Sequence, residues 1–162
     1  MRIGVISDTH IPKAALDLPE IVYNDFVKCD LILHAGDIVQ MDLLLKLQKL
    51  APVRAVYGNM DLAEVKENIP QKDVVKVDGV KIAIMHGYGT PKGLVNVVKG
   101  SFPADMNAIV FGHSHMPINE IIGKTLFFNP GSPTDTIFAP YNSYGILEVD
   151  KKKITGHIIR IT

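Results

Sequence analysis

The sequence has a single cysteine, no excess of either charge, no internal repeat and no apolar run long enough to cross a bilayer. Cys29 alone cannot close an internal disulfide. Its place in an apolar helix-to-strand stretch suits a buried thiol in a reducing compartment. Lys plus Arg equal Asp plus Glu at 17 each, so the overall balance supplies no basic field for non-specific nucleic-acid binding, and nucleic acid is not indicated as a partner. The amino terminus lacks a cationic region followed by a long apolar segment and a small-residue cleavage site, so a cytoplasmic location and no membrane association are expected. The one run of like charge, Lys151-Lys152-Lys153, reads as a solvated hairpin tip. Charged residues make up 21% of the chain, low for a small monomer, which leaves apolar surface for an interface.

At 162 residues and 47% hydrophobic, the chain is the size of one ordinary domain with a substantial core, and residues 1–162 are expected to form a single domain. Short apolar, β-branched runs stop abruptly at polar tips: Ile3 to Ser7 at Asp8, Leu31 to Ala35 at Gly36-Asp37, and Pro52 to Tyr57 at Gly58-Asn59. Helical spacing follows the first two, over Glu20 to Lys28 and Met41 to Leu50. Strand, tip and helix in this order argue for a largely parallel arrangement with active groups at the carboxyl ends of the strands.

From residue 73 the pattern changes to hairpins, at Val74 to Met85 around Asp78-Gly79, at Ile118 to Phe128 around Gly123-Lys124, and at Tyr144 to Ile161. A helix capped by Thr90 is expected over Pro91 to Lys99. A strand over Ala108 to Phe111 then runs into Gly112-His113-Ser114-His115. The expected fold is an α/β two-sheet β-sandwich flanked by helices.

Five of the six histidines fall at or just before strand ends, beside acidic or amide residues. Asp8 and His10 lie two apart beyond a strand, where extended backbone would aim both side chains to one point. Asp37 has two oxygens with which to bridge cations, Asn59 offers an amide oxygen, and His86, His113 and His115 add imidazoles. His34, inside an apolar strand, reads as a core residue that orients a ligand. His157, on a late strand, reads as an ordinary polar side chain.

These blocks, Asp8-Thr9-His10, Gly36-Asp37, Gly58-Asn59-Met60-Asp61, His86-Gly87 and Gly112-His113-Ser114-His115, resemble the ordered motifs of the calcineurin-like metallophosphoesterase superfamily. Asn129-Pro130-Gly131-Ser132 and the short length are similar to its small prokaryotic phosphodiesterase branch, which also resembles the retromer small subunit. The resemblance implies a binuclear centre in which Asp8, His10, Asp37 and His115 hold one metal and Asp37, Asn59, His86 and His113 the other. Asp37, Asn59, Asp61 and His86 are then the catalytic set, with Asn59 contacting a small-molecule phosphodiester; Tyr88 either contacts it through its hydroxyl or is a buried structural tyrosine.

Mixed imidazole and oxygen ligation favours two divalent transition-metal ions, with Mn²⁺ ranked first and Fe, Zn²⁺, Co²⁺ or Ni²⁺ also suited. Two such ions against two carboxylates leave excess positive charge that attracts phosphate and acidifies a bridging water, so a metal-bridging hydroxide is the expected nucleophile. Met60 stands where much of the superfamily has histidine, and a thioether cannot protonate a leaving alkoxide. A phosphomonoesterase and a non-catalytic protein-binding scaffold of the retromer-subunit kind are the alternatives. The apolar and aromatic stretch Thr136 to Tyr144 is read three ways: as a contact between copies in a homo-oligomer, as a cap on the core, or as a lid on the substrate side.

Overall fold

A computed structural model describes residues 1–162, and its strands form two five-membered sheets. β1 (Arg2–Ile6), β2 (Leu31–His34) and β3 (Val53–Ala55) run parallel. β9 (Ser143–Asp150) and β10 (Lys153–Arg160) extend the same sheet antiparallel, in the order β10-β9-β1-β2-β3. The second sheet has the order β4-β5-β6-β8-β7. It contains β4 (Lys72–Val77), β5 (Val80–Met85), β6 (Ala108–Val110), β7 (Ile118–Ile122) and β8 (Thr125–Asn129), with β5, β6 and β8 parallel. Both sheets are mixed, so the parallel character expected from sequence holds only for the three central strands of the second sheet and for β1 to β3.

Period-two alternation splits each strand between two cores. Ile3 and Val5 of β1 and Leu31 and Leu33 of β2 pack against Ile82, Ile84, Val110 and Phe128, filling the space between the sheets. On the outer face of the first sheet, Val22 and Phe26 of α1 (Glu20–Phe26) and Leu43, Leu44 and Leu47 of α2 (Met41–Gln48) cover Ile32, Tyr144 and Ile146. α3 (Ala63–Asn68), not anticipated from the sequence, adds Val65 to that layer. Its six residues are too few to show a helical period. On the opposite outer face, Leu94 and Val98 of α4 (Leu94–Gly100) cover Met85, Ile109 and Phe127. The layers run helix, sheet, sheet, helix.

The region expected to be one helix from Pro91 opens as a short 3₁₀ turn, Pro91–Gly93, and Thr90 makes no capping hydrogen bond from its side chain. Tyr144 belongs to β9 and is fully buried, with its ring edge-on to Phe26 at a centroid distance of 5.8 Å. That agrees with the hairpin expected over Tyr144 to Ile161 and takes Tyr144 out of the stretch Thr136 to Tyr144 as a candidate interface or lid residue. Gly4 is needed for the same contact, because a Cβ there would lie 2.7 Å from the Phe26 ring. Phe26→Ala, which opens a cavity under α1, is expected to lower unfolding free energy by about 3 to 5 kcal/mol, read from denaturant midpoints.

Candidate metal centre

The carboxyl ends of β1, β2, β5 and β6 meet at one edge of the sandwich, and the seven residues singled out from the sequence stand on the loops that leave those ends and that of β3. They do not converge through extended backbone. Asp8, His10, Asp37, His113 and His115 all have left-handed φ, between 45° and 70°, each a conformation that costs a non-glycine residue on the order of 1 kcal/mol. The chain turns sharply at each ligand position and throws the side chain back into the cleft, where a pleated strand would have carried it away.

Hydrogen bonds lock these turns. Asp8 N–H donates to Gly36 O at 2.9 Å and His10 N–H to Asp37 O at 3.0 Å, tying the first tip to the second. Asp8 Oδ2 accepts from Ser7 Oγ at 2.7 Å, the His113 N–H is shared between Oδ2 and Oδ1 at 3.0 and 3.2 Å, and Oδ1 also faces His115 Nε2 at 3.3 Å. Asp37 Oδ1 accepts from Met60 N–H at 2.8 Å. Its Oδ2 faces both His86 Nε2 at 3.2 Å and His10 Nε2 at 3.5 Å, so a shared role for Asp37 falls to one oxygen rather than two. Gly112 is forced: a Cβ there would sit 1.8 Å from Ser7 Oγ and 2.6 Å from Asp8 Oδ2.

Three imidazoles are each tied by one nitrogen. His86 Nδ1 donates to Ala35 O at 2.8 Å, His115 Nδ1 to Asp135 Oδ2 at 2.5 Å, and His113 Nε2 to Gly89 O at 2.9 Å. The remaining nitrogen of the first two then faces other acceptors, a place for either a proton or a cation. His86 Nε2 lies 3.1 Å from Asn59 Oδ1 and 3.2 Å from Asp37 Oδ2, and His115 Nε2 lies 3.4 Å from His10 Nε2. Acceptors gathered this way, each held from behind, fit a cation.

Two groups have ligand atoms within 4.8 Å of one another, Asp8 with His10 and His115, and Asp8 with Asp37 and His86. Asp8 therefore belongs to both groups, and Asp37, in the second, also faces His10 of the first at 3.5 Å. His113 belongs to neither group; its ring stands edge-on to His86 at a centroid distance of 5.3 Å, with Nδ1 as its free nitrogen.

In the metal-free chain, protons take the cation's place. Burial alone would lower the His86 pKa, but the hydrogen bond with Asp37 and the charges of Asp8 and Asp37 outweigh it and raise the value to about 9. His115 is likewise raised to about 9, against its burial, by its hydrogen bonds to Asp8 and Asp135 and their charges. His34 goes the other way. Complete burial pushes it to about 3, so it stays neutral; Gly36 N–H donates to its Nδ1 and its Nε2–H donates to Thr9 Oγ1 at 3.0 Å, which fixes the turn between Asp8 and His10.

Several assignments change. Asp61, expected to be catalytic, is buried and accepts from three backbone N–H groups, those of Asp37, Gly58 and Val39 at 3.1, 2.7 and 2.6 Å. Its carboxylate clamps the loops that carry Asp37 and Asn59 and does not reach the cleft. Tyr88 is 61% exposed, which rules out a buried structural tyrosine; it lines a groove with Tyr57, Lys66 and Gln71 that meets the cleft at Asn59. His157 is exposed and its Nε2 sits 3.3 Å from Glu148 Oε2, as an ordinary surface polar group. Asp135 escaped sequence reasoning because it lies outside every motif. The Asn129-Pro130-Gly131-Ser132 block was the available signal, since Ser132 Oγ donates to Asp8 O and accepts from Asp135 N–H.

Residues 1–152 match the model of the calcineurin-like phosphoesterase superfamily domain. The chain belongs to this superfamily. It is 36% identical to a probable metallophosphoesterase of Methanothermobacter thermautotrophicus, over 99% of this chain and 92% of that protein. An archaeal phosphodiesterase superposes with a TM-score of 0.75 at 24% identity, covering 98% of this chain and all of the other. Zinc-complexed Vps29 of Entamoeba histolytica superposes with a TM-score of 0.77 at 21% identity, each chain fully covered. At those identities the two structures speak to the fold, which is that of the metallophosphoesterases.

Two outcomes follow from this geometry. Asp61→Ala strands three buried N–H groups at about 1 to 3 kcal/mol each, so a markedly lowered Tm and weakened metal binding are expected, and a wild-type Tm would refute the clamp. Metal loading must displace the protons on His86 and His115. Apparent affinity for a divalent ion should therefore rise with pH, by roughly tenfold per pH unit for each proton displaced, and level off above about pH 9. Calorimetric titration in buffers of different ionisation enthalpy measures both the affinity and the protons released.

Proposed function

We propose that the chain hydrolyses phosphodiesters with the help of two divalent transition-metal ions held by Asp8, His10, Asp37, Asn59, His86, His113 and His115. The observation that carries this reading is the convergence of imidazole lone pairs, two carboxylates and an amide oxygen, with the outward ring nitrogens of His86 and His115 tied to acceptors. When bound, such ions supply positive charge to the phosphoryl oxygens and lower the pKa of coordinated water. The name of the archaeal neighbour supports a diester substrate.

The chain's own residues divide the remaining tasks. Asp8 and Asp37 each keep one oxygen on backbone or hydroxyl donors and aim the other inward, so their orientation is set before any ligand arrives. Asn59 stands where the cleft and the Tyr88 groove join, and its amide can position a phosphoryl oxygen. No lysine or arginine lines the cleft, so the positive charge available to the phosphoryl group comes from the ions. Two divalent ions against the two carboxylates of the ligand set leave an excess of about two charges, which a hydroxide and a mono-anionic diester together neutralise. A dianionic monoester would overshoot, so the phosphomonoesterase reading is the weaker one.

Met60 lies half-exposed on the cleft wall and cannot donate a proton to the leaving oxygen. Asp61 is poorly placed to orient a replacement there, since it is buried and three backbone N–H groups already take most of its acceptor sites. The scaffold alternative draws on the likeness to Vps29, and the presence of a residue able to ligate at all seven expected positions weighs against it.

Reconstitution with Mn²⁺ is expected to give two ions per chain and hydrolysis of aryl phosphodiesters that outruns alkyl diesters and monoesters. Chelation should abolish turnover, and His86→Ala should lower kcat/KM by more than about 100-fold, beyond what loss of a residue behind a ligand produces. A metal-loaded chain that turns over no phosphate ester would refute the enzyme reading in favour of the scaffold.

A further inference from the structure

The cleft beside the ligand cluster has a volume of about 470 Å³ and an unusual wall for a site that is to receive an anion. Along its rim stand Met60, Met116 and Phe138, which are 45%, 47% and 74% exposed. Large apolar side chains left in water at the mouth of a polar site mark a surface that gains by being covered.

Phe138 is not a stray residue on a loose loop. Asp135 accepts from the N–H groups of Ile137, Phe138 and Ala139 at 2.8, 3.0 and 2.8 Å, so one carboxylate cinches the loop into a tight turn. The same carboxylate accepts from His115 Nδ1, and the Phe138 ring stands edge-on to the His115 ring at 6.0 Å, with an interplanar angle of 79°. The position of the aromatic side chain is thereby tied to that of a metal-ligating imidazole. On the other side of Asn59, the Tyr88 groove offers Lys66 and Gln71 instead. The two channels that meet at Asn59 are thus unlike beyond the ligands, one walled by Met60, Met116 and Phe138 with no lysine or arginine, the other by Tyr88, Gln71 and Lys66.

We propose that Met60, Met116 and Phe138 form a subsite for an apolar or aromatic ester arm of the substrate, which makes them specificity-determining residues and the preferred substrate a mono-anionic phosphodiester with two unlike arms. The inference rests on the phosphoesterase reading above and deepens it. An arm seated against the three side chains covers apolar surface on both partners, whereas a second anionic group there would find no lysine or arginine. The second arm runs toward Tyr88 and Lys66. Of the three roles the sequence left open for the stretch Thr136 to Tyr144, the substrate-side one falls to Phe138.

Two mono-anionic diester mimics that differ only in the arm, methyl phenylphosphonate and methyl methylphosphonate, test this by calorimetric titration into the metal-loaded full chain. Burying a phenyl group should make the first bind about tenfold tighter or more. In the Phe138→Ala, Met116→Ala double variant that ratio should fall to within about twofold, and Phe138→Leu, which keeps apolar area, should retain most of it. Metal stoichiometry of each variant confirms that the cluster is intact. Equal binding of the two mimics by the wild type, or a ratio unaltered in the double variant, overturns the subsite alone. Failure of both mimics to bind a fully metal-loaded chain overturns the phosphoesterase reading and this inference with it. If the double variant instead dissociates an oligomer, seen by light scattering, and leaves the ratio intact, Phe138 belongs to a contact between copies and the subsite is wrong.

Discussion

Two carboxylates, Asp8 and Asp37, are buried at the ends of neighbouring parallel strands, and the loops around them are arranged to keep them there. Burying a carboxylate is costly unless donors meet it. Asp8 receives a hydroxyl and a backbone N–H, Asp37 a backbone N–H, and the histidines opposite supply charge when protonated or hand the place to a cation. Burial by itself would raise the pKa of Asp37, yet the hydrogen bond and charge of His86, with the Met60 N–H, hold it below the usual carboxylate range. The left-handed turns at five ligand positions are strain that these contacts over-determine. Asp61 and Ser132 serve the same end from outside the cleft, the first through three backbone N–H groups and the second through the Asp8 carbonyl.

Strain of this kind explains what could and could not be read from the chain. Apolar runs ending in Asp, Asn or His make the strand ends legible, because burial selects the run and chemistry selects the tip. Two-residue turns made the hairpins legible for the same local reason, as with Asp78-Gly79, where both residues have positive φ. The direction in which Asp8 and His10 project was not legible. It depends on φ values near 50° that are imposed by bonds to Gly36 and Asp37, almost 30 residues away in sequence. Asp61 sat inside a recognised motif and was assigned to chemistry, although its spacing says nothing about which way it faces. Asp135 lay in no motif, since its partners, His115 and the following turn, are assembled only by the fold.

The same distinction separates fold from activity. A sandwich of this topology is shared with a phosphodiesterase and with Vps29, and at identities below 25% the resemblance says only that these chains solve the packing problem alike. What distinguishes an enzyme from a scaffold within such a frame is whether the turns that aim the ligands are still worth their strain. Here the Gly112 contact, the Asp61 clamp and the His34 to Thr9 bond all stabilise conformations whose only evident product is a set of converging lone pairs. A protein-binding surface elsewhere on the fold would not require any of them.

The centre and its rim are built by opposite means. The ligands stand on loops buried against both sheets, where a change in one turn disturbs several hydrogen bonds at once, so the metal geometry is coupled and resistant to gradual change. The rim is made of exposed side chains, Met60, Met116 and Phe138, whose replacement leaves the packed layers and the hydrogen-bonded turns in place. Two links join them: the Asp135 carboxylate holds the Phe138 turn and the His115 ring on the same pair of oxygens, and the Met60 backbone N–H donates to Asp37 Oδ1. An alteration at the rim can thus redirect which ester arm is accepted without touching the ligand set, whereas an alteration at Asp135 must move both. Both links run through backbone or through Asp135, so replacing a rim side chain alone leaves the centre rigid while its surface changes.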